Sequence, residues 1–288
     1  PACYPAKPKR TRKRASLGAR RGRRSASDVL SGSHLPLTGH GFKRMRVLVF
    51  TPTWELPNGT LAMRPECENT VFMQRVDGVL DHHIGRANPF PIGDHRNVLA
   101  QYQWAQREFL AGTWDALLTF EHDHMLPDTD AVQRLLETPG DIVYAPYLLR
   151  TSKTLSLWQY LPGGQIGASL SGYPRELAQA RADRICRVAG VGFGCTLIKR
   201  EVLEMIPLRE SGARDACPDL AFARDAARLG FVSLGRLDVP VSHWDSVSQT
   251  WLMPFDDAPS FPHAVSGNPL RDAFERLAPL DWRRDASG

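Results

Sequence analysis

The chain has 288 residues, 42% of them hydrophobic, with 36 Lys+Arg against 31 Asp+Glu. That length holds one large α/β domain or about two of average size, and it buries a core without disulfides or a structural metal. No run approaches the roughly 18–20 consecutive apolar residues of a membrane-spanning helix, so membrane-embedded and fibrous classes are excluded.

The positive charge is concentrated at the start of the chain. Residues 1–27 hold ten basic side chains, from Lys7 to Arg24, and no acidic one; 28–288 keep 26 basic against 31 acidic. A block of like charge with Pro, Gly and Ser and no apolar periodicity is expected to be disordered. No apolar core follows it, so it does not read as a secretory signal. It is either a solvated extension or a tether for a polyanion, nucleic acid first and an anionic membrane surface second. Tyr4 is its only aromatic residue, so contacts would go to phosphates without sequence selectivity. The five cysteines (Cys3, Cys67, Cys186, Cys195, Cys217) are odd in number and form no Cys-x-x-Cys pair. Reduced thiols in a cytoplasmic protein are the expectation.

A Gly/Ser/His/Pro-rich linker over about 28–42 precedes Arg46–Thr51, a short apolar run that reads as a buried strand. A helix is predicted over about 66–80, with His82 and His83 as helical surface residues. Helical spacing of Val98, Leu99, Tyr102, Ala105, Phe109 and Leu110 predicts another over 95–111. Asp115–Phe120 is a second buried strand, ending in Glu121-His122-Asp123-His124. Asp128 is the predicted N-cap of the next helix, and Asp141–Ala145 is a third strand, stopped by Pro146. The stretch 150–175 reads as loops or a hairpin. Gly190-x-Gly192-x-Gly194 leads into a strand at Cys195–Ile198 and a helix from about Arg200 to Met205. A helix near 218–229 ends at Gly230. Strands are predicted at Phe231–Leu234 and from Asp238 through Val241 to an end at His243-Trp244, and a late helix near 269–277. Strands alternating with helices indicate a three-layer α/β domain with a mainly parallel central sheet.

The acid pair is the most informative feature. Parallel sheets place ligands beyond the carboxyl ends of their strands, and side chains at i and i+2 of extended backbone point the same way. Glu121 and Asp123 therefore have the means to converge on one divalent cation, Mg²⁺ or Mn²⁺, with imidazole ligation favouring Mn²⁺. The alternative is two polar residues in the turn after a strand. His122 and His124 flank Asp123, which admits a zinc hydrolase as a lesser reading. The glycines 190, 192 and 194 suit either close approach to a bound ligand or a plain turn. Arg150 and Lys153 read as solvated charges, with phosphate contact as the alternative.

The stretch Trp114–Leu136, with its strand-end Glu121-His122-Asp123 and its Pro127-Asp128 turn, resembles the Asp-x-Asp region of GT-A-fold glycosyltransferases, especially family-2-like ones. Gly192-Phe193-Gly194 through Leu203 and then Pro218-Asp219 through Phe222 resemble two further motifs of those enzymes, in the same order. The resemblance covers about 46–245. It implies a single GT-A-like (Rossmann-like) catalytic domain over 43–250, between the tail and linker 1–42 and a C-terminal extension 251–288 that packs on it. It implies Asp123 as a metal ligand, with Glu121 and His243 assisting, and Asp219 as catalytic base. Thr51, Pro52, Arg96, Glu121, Gly192 and Phe193 fall where the nucleotide sugar is held, and Trp158 and Trp244 are candidates for sugar or acceptor contact.

The implied activity is transfer of a sugar from a nucleotide diphosphate donor, a UDP-sugar by expectation, to an acceptor hydroxyl with Mn²⁺ or Mg²⁺ as cofactor. Bacteriophage-type members act on hydroxymethylated DNA bases, so the tail 1–27 makes 5-hydroxymethylcytosine in DNA an acceptor candidate, in a host cytoplasm. Saccharide, lipid and protein acceptors are the alternatives. A sugar-nucleotidyltransferase and a non-catalytic nucleic-acid-binding protein are the rival classes.

Overall fold

The computed structural model describes residues 44–86, 88–90, 95–160, 166–190, 192–209 and 218–255. The basic tail, Cys3, Cys217 and the helix expected near 269–277 lie outside the described residues. In chain order the elements are β1 (Met45–Thr51), α1 (Pro65–Phe72), β2 (Gly78–Ile84), α2 (His95–Ala111), β3 (Ala116–Phe120), β4 (His124–Met125), α3 (Ala131–Glu137), β5 (Ile142–Tyr144), β6 (Trp158–Tyr160), β7 (Ile166–Ser169), α4 (Pro174–Asp183), β8 (Ile185–Arg187), β9 (Cys195–Lys199), α5 (Arg200–Met205), α6 (Pro218–Leu229), β10 (Ser233–Arg236), β11 (Ser242–Asp245) and β12 (Thr250–Leu252).

Seven strands form the central sheet in the order β2-β1-β3-β9-β5-β10-β8. β1 runs parallel to β2 and β3, and β10 parallel to β5. β9 opposes both β3 and β5, and β8 opposes β10. Five of the seven strands thus point one way, the mainly parallel sheet expected. Because side chains alternate across a strand, the central strands feed two cores. Leu48, Phe50, Leu117, Ile142, Tyr144 and Ile198 face Phe109, Val202 and Phe222 on one side. Val47, Val49, Ala116, Leu118, Val143 and Leu197 face Val71, Val132 and Leu135 on the other. Two helical layers against one sheet give the three-layer architecture.

Several expectations are corrected. The helix predicted over 66–80 stops at Phe72, and Gly78–Ile84 is the edge strand β2, paired residue for residue with β1. His82 and His83 therefore lie on a strand, and His82 Nε2 is 2.9 Å from Thr51 Oγ1. Asp128 does not cap α3. Asp130 holds that position without a side-chain cap bond, and Asp128 is paired with Arg134 instead. The strand expected from Asp238 to an end at His243-Trp244 begins only at Ser242 and ends at Asp245, since Pro240 has no N–H to give a ladder. Finally, α4 and β8 fill a region that periodicity did not resolve.

Buried amides lock the layers. Gln106 Nε2 donates to the carbonyls of Leu203 and Ile206 at 2.8 Å each, and its Oε1 accepts from Leu208 N at 2.9 Å, which fixes α2 to the end of α5. Gln101 does the same for the loop after β1: its Oε1 accepts from Thr53 N at 3.1 Å and its Nε2 donates to Thr53 O at 2.6 Å. Leu118 is fully buried in the centre of β3. Leu118→Ala is expected to destabilise the domain by about 2–5 kcal/mol, read as a lower urea midpoint with an unchanged m-value.

Candidate active site

β3 ends at Phe120, and the chain turns at once. Glu121 N donates to Gly194 O at 3.0 Å, His124 N closes the turn onto Glu121 O at 3.1 Å, and Cys67 Sγ donates to the same carbonyl at 3.2 Å. The turn delivers His124 into the short strand β4, which pairs antiparallel with β11 so that His124 lies opposite His243. Trp244 N donates to Asp123 O at 2.9 Å, sealing the junction. Directly opposed residues project on the same face, and the two imidazoles stack with centroids 4.3 Å apart and an interplanar angle of 18°.

Asp123 sits against both rings. Its Oδ1 is 3.1 Å from His124 Nδ1 and its Oδ2 is 3.5 Å from His243 Nε2. The second distance is too long for a full hydrogen bond, and we treat it as an electrostatic contact. Arg150 Nη1 lies 3.0 Å from Asp123 Oδ2. Burial alone would raise the Asp123 pKa, but His124 and His243 outweigh it and hold the carboxyl well below its ordinary value. Burial would likewise lower His243, yet Asp123 raises it. His124 is pushed down to about 4, chiefly by burial. Glu121 lies beside this group, partly open to solvent, with Oε2 3.8 Å from His124 Nδ1. Enclosure by protein, then the charge of Asp123, raises it to about 7.

Asp123, His124 and His243 are buried and offer one ligand atom each within 4.8 Å of one another. His243 Nδ1 donates to Leu148 O at 2.7 Å, which leaves the lone pair on Nε2, buried and without a hydrogen-bond partner. A backbone carbonyl that takes the other ring N–H and so sets the tautomer is the usual preparation of a metal-binding imidazole. The donor set of two imidazoles and one carboxylate therefore fits a divalent transition ion such as Mn²⁺ better than Mg²⁺, which prefers oxygen. Among the described residues, His124 joins Asp123 and His243 in this group, and Glu121 Oε2 lies 3.8 Å from His124 Nδ1.

The remaining candidates divide. Asp219 is in the first turn of α6, where its Oδ1 accepts from Leu220 N at 2.8 Å and a negative charge is favoured by the helix dipole. Burial raises it to about 6. Gly192 is its neighbour: a Cβ there would stand 3.4 Å from Asp219 Oδ2 and 2.1 Å from Tyr147 Oη, and one on Gly194 would meet His124 Nε2 and the Tyr147 ring at 2.7 Å. The close approach that requires glycine is thus to the protein's own side chains. Tyr147, which sequence reasoning did not single out, stands edge-on to both His124 and His243.

Thr51 and Pro52 are buried at the carboxyl end of β1. Arg96 is exposed on α2, with its guanidinium 4.2 Å from the Phe90 ring centroid. Phe193 is a core residue between Tyr102 and Phe222, so its ring is not available to a ligand. Trp158 is half-buried in the β6–β7 hairpin. Trp244 points away from His243, as neighbours on a strand do, and carries the Arg64 guanidinium 3.7 Å from its ring centroid. Arg150 and Lys153 are not free surface charges: Arg150 pairs with Asp123, and Lys153 Nζ is 2.7 Å from Asp245 Oδ2.

No protein-family model and no curated protein matches the sequence. Among solved structures, the chain is similar to A197 from STIV at 19% identity and a TM-score of 0.48, over 74% of this chain and 95% of that one. It is similar to a CMP:2-keto-3-deoxy-manno-octonic acid synthetase complexed with CTP at 14% identity and 0.40, over 66% and 88%. It is also similar to the mannosyltransferase PcManGT from Pyrobaculum calidifontis, in complex with GDP-Man and Mn²⁺, at 15% and 0.40, over 69% and 56%. No helix among the described residues is long and apolar enough to cross a membrane.

Mn²⁺ supplied at about a hundred times its Kd is expected to stabilise the protein by about 2.7 kcal/mol, a rise of roughly 5–10 °C in Tm for a domain of this size. Asp123→Asn and His243→Ala should each abolish most of that rise. A full Mn²⁺ shift in both variants would remove the cluster as the metal site.

Proposed function

We propose that this chain is a metal-dependent glycosyltransferase that moves a sugar from a nucleotide diphosphate donor to an acceptor hydroxyl. The observation that carries this reading is the buried Asp123–His124–His243 group at the carboxyl edge of the sheet, beside the raised carboxyls of Glu121 and Asp219. When bound, a divalent cation supplies neutralisation of the charge that develops on the diphosphate leaving group. Glu121 lies beside this group and would accept hydrogen bonds from donor hydroxyls. Asp219 serves as general base, taking the proton of the acceptor hydroxyl as the new bond to the sugar C1 forms and the C1–O bond to the diphosphate breaks. A UDP-sugar is the donor of this proposal.

A sugar-nucleotidyltransferase would use the same strand-end carboxylates and metal. One that acts on a sugar phosphate differs in its nucleophile, a phosphate already ionised near neutral pH, which needs no base. The raised, still titratable Asp219 favours a hydroxyl nucleophile. Asp219→Asn should therefore lower kcat by about 10²–10⁴, and the wild-type rate should fall as pH drops through about 6, where the carboxylate is protonated. Normal turnover in the variant, with nucleotidyl products, would decide for the rival.

For the acceptor, we propose 5-hydroxymethylcytosine in DNA, reached through the ten positive charges of residues 1–27. A base in duplex would have to be turned out of the stack to reach Asp219. Transfer to hydroxymethylated DNA should weaken steeply with salt and fall on deletion of 1–27. Transfer indifferent to both would point instead to saccharide, lipid or protein acceptors.

A further inference from the structure

The hairpin that follows β5 carries a cation directly onto the candidate metal ligand. Leu148 and Leu155 form its closing bridge; inside it Leu149 N donates to Thr154 O, and Lys153 N to Leu149 O, both at 2.9 Å. Lys153 adopts the left-handed conformation at φ 53°, which lets the chain reverse. The hairpin is tied to β11 on both sides. His243 Nδ1 holds Leu148 O at 2.7 Å, and Lys153 Nζ holds Asp245 Oδ2 at 2.7 Å. Arg150, between these anchors, is left with its side chain half-exposed and its Nη1 3.0 Å from Asp123 Oδ2.

A guanidinium on that oxygen occupies the place of positive charge that a divalent cation would take. Both cannot be near neighbours on Asp123 without repelling each other, and the ion carries twice the charge. Displaced from Asp123, a guanidinium on a fixed hairpin next to a metal–diphosphate site has one well-matched partner, the phosphate oxygens, which its planar fork recognises bidentately. We propose that Arg150 is an exchangeable clamp: it neutralises Asp123 while the metal is away, and swings onto the donor's diphosphate when the metal binds. Arg150 thereby couples the two binding events. Its anchored backbone means that only the side chain has to move.

This inference rests on the metal-dependent, diphosphate-binding reading above, and calorimetric titrations with Mn²⁺ alone, and with inorganic pyrophosphate in Mn²⁺, separate the two. Arg150→Met removes the charge and keeps much of the length. It should bind Mn²⁺ alone roughly three- to tenfold more tightly, because a competing ion pair of modest strength is gone. It should bind pyrophosphate at least about tenfold more weakly, having lost a charged hydrogen-bond donor. Arg150→Lys, which keeps the charge but not the fork, should leave Mn²⁺ binding near the wild-type value and recover only part of the pyrophosphate affinity. A merely structural residue would not move the two affinities in opposite directions. With Tm preserved, unchanged or weaker Mn²⁺ binding in Arg150→Met overturns the exchange, as does unchanged pyrophosphate binding, while the metal reading stands on the loss of Mn²⁺ binding in Asp123→Asn. A wild-type protein that binds no Mn²⁺ overturns both.

Discussion

Asp123 is a carboxylate almost wholly withdrawn from water, and the arrangement around it offsets the penalty of that burial. An unpaired buried charge costs several kcal/mol even after relaxation. Here two imidazoles and a guanidinium face the carboxylate, at 3.1, 3.5 and 3.0 Å. His124 is the next residue in the chain, but the other two partners come from far along it. His243 arrives through the β4–β11 pairing, Arg150 through a hairpin whose carbonyl binds His243, and His124 through a turn whose carbonyl is held by Cys67. The backbone bond from Trp244 N to Asp123 O joins the two ends. Removing one element would strand the charge, so the same requirement that makes a metal site also makes a structural keystone.

That dependence explains how much of the site was legible in the sequence. Asp123 was readable because an apolar strand, Ala116–Phe120, stops abruptly in acids, a local pattern with a physical meaning. Asp219 and His243 were readable only through the resemblance, since nothing in their immediate neighbours marks them. His124 reads from the sequence as a flanking candidate ligand; its pairing with His243 is a fact of register between two short strands far apart in the chain. Arg150 reads as solvated because its own neighbours, Leu149 and Thr151, say nothing about Asp123. Nothing local marks Tyr147 either.

The fold was legible where burial is continuous. β1, β3 and β5 are apolar runs bounded by Pro or charge, and the two-sided burial of a central strand is what such runs encode. The reading failed at the edge. Val76, Val79 and Leu80 are spaced i, i+3, i+4, which suits a helix as well as a half-buried strand, and only the partnership with β1 decides for β2. For the strand that ends near Trp244 only the start was misplaced: Asp238–Val241 is β-rich in composition but holds Pro240, which cannot join a ladder, and pairing begins at Ser242.

The reversed strand β9 ties the architecture to the chemistry. In a purely parallel sheet, every loop at the ligand-binding edge follows a strand. Because β9 runs against β3 and β5, the segment that precedes it, Gly192–Gly194, arrives at that edge instead. It meets the strand-end turn where Glu121 N binds Gly194 O, and the end of β5 where Ala145 N binds Cys195 O. Tyr147 and His124 then press so closely on this segment that side chains at 192 and 194 would overlap them. The glycines thus let three strand ends close on one point, where Glu121 stands near enough to Asp123 and Asp219 for their charges to raise its pKa.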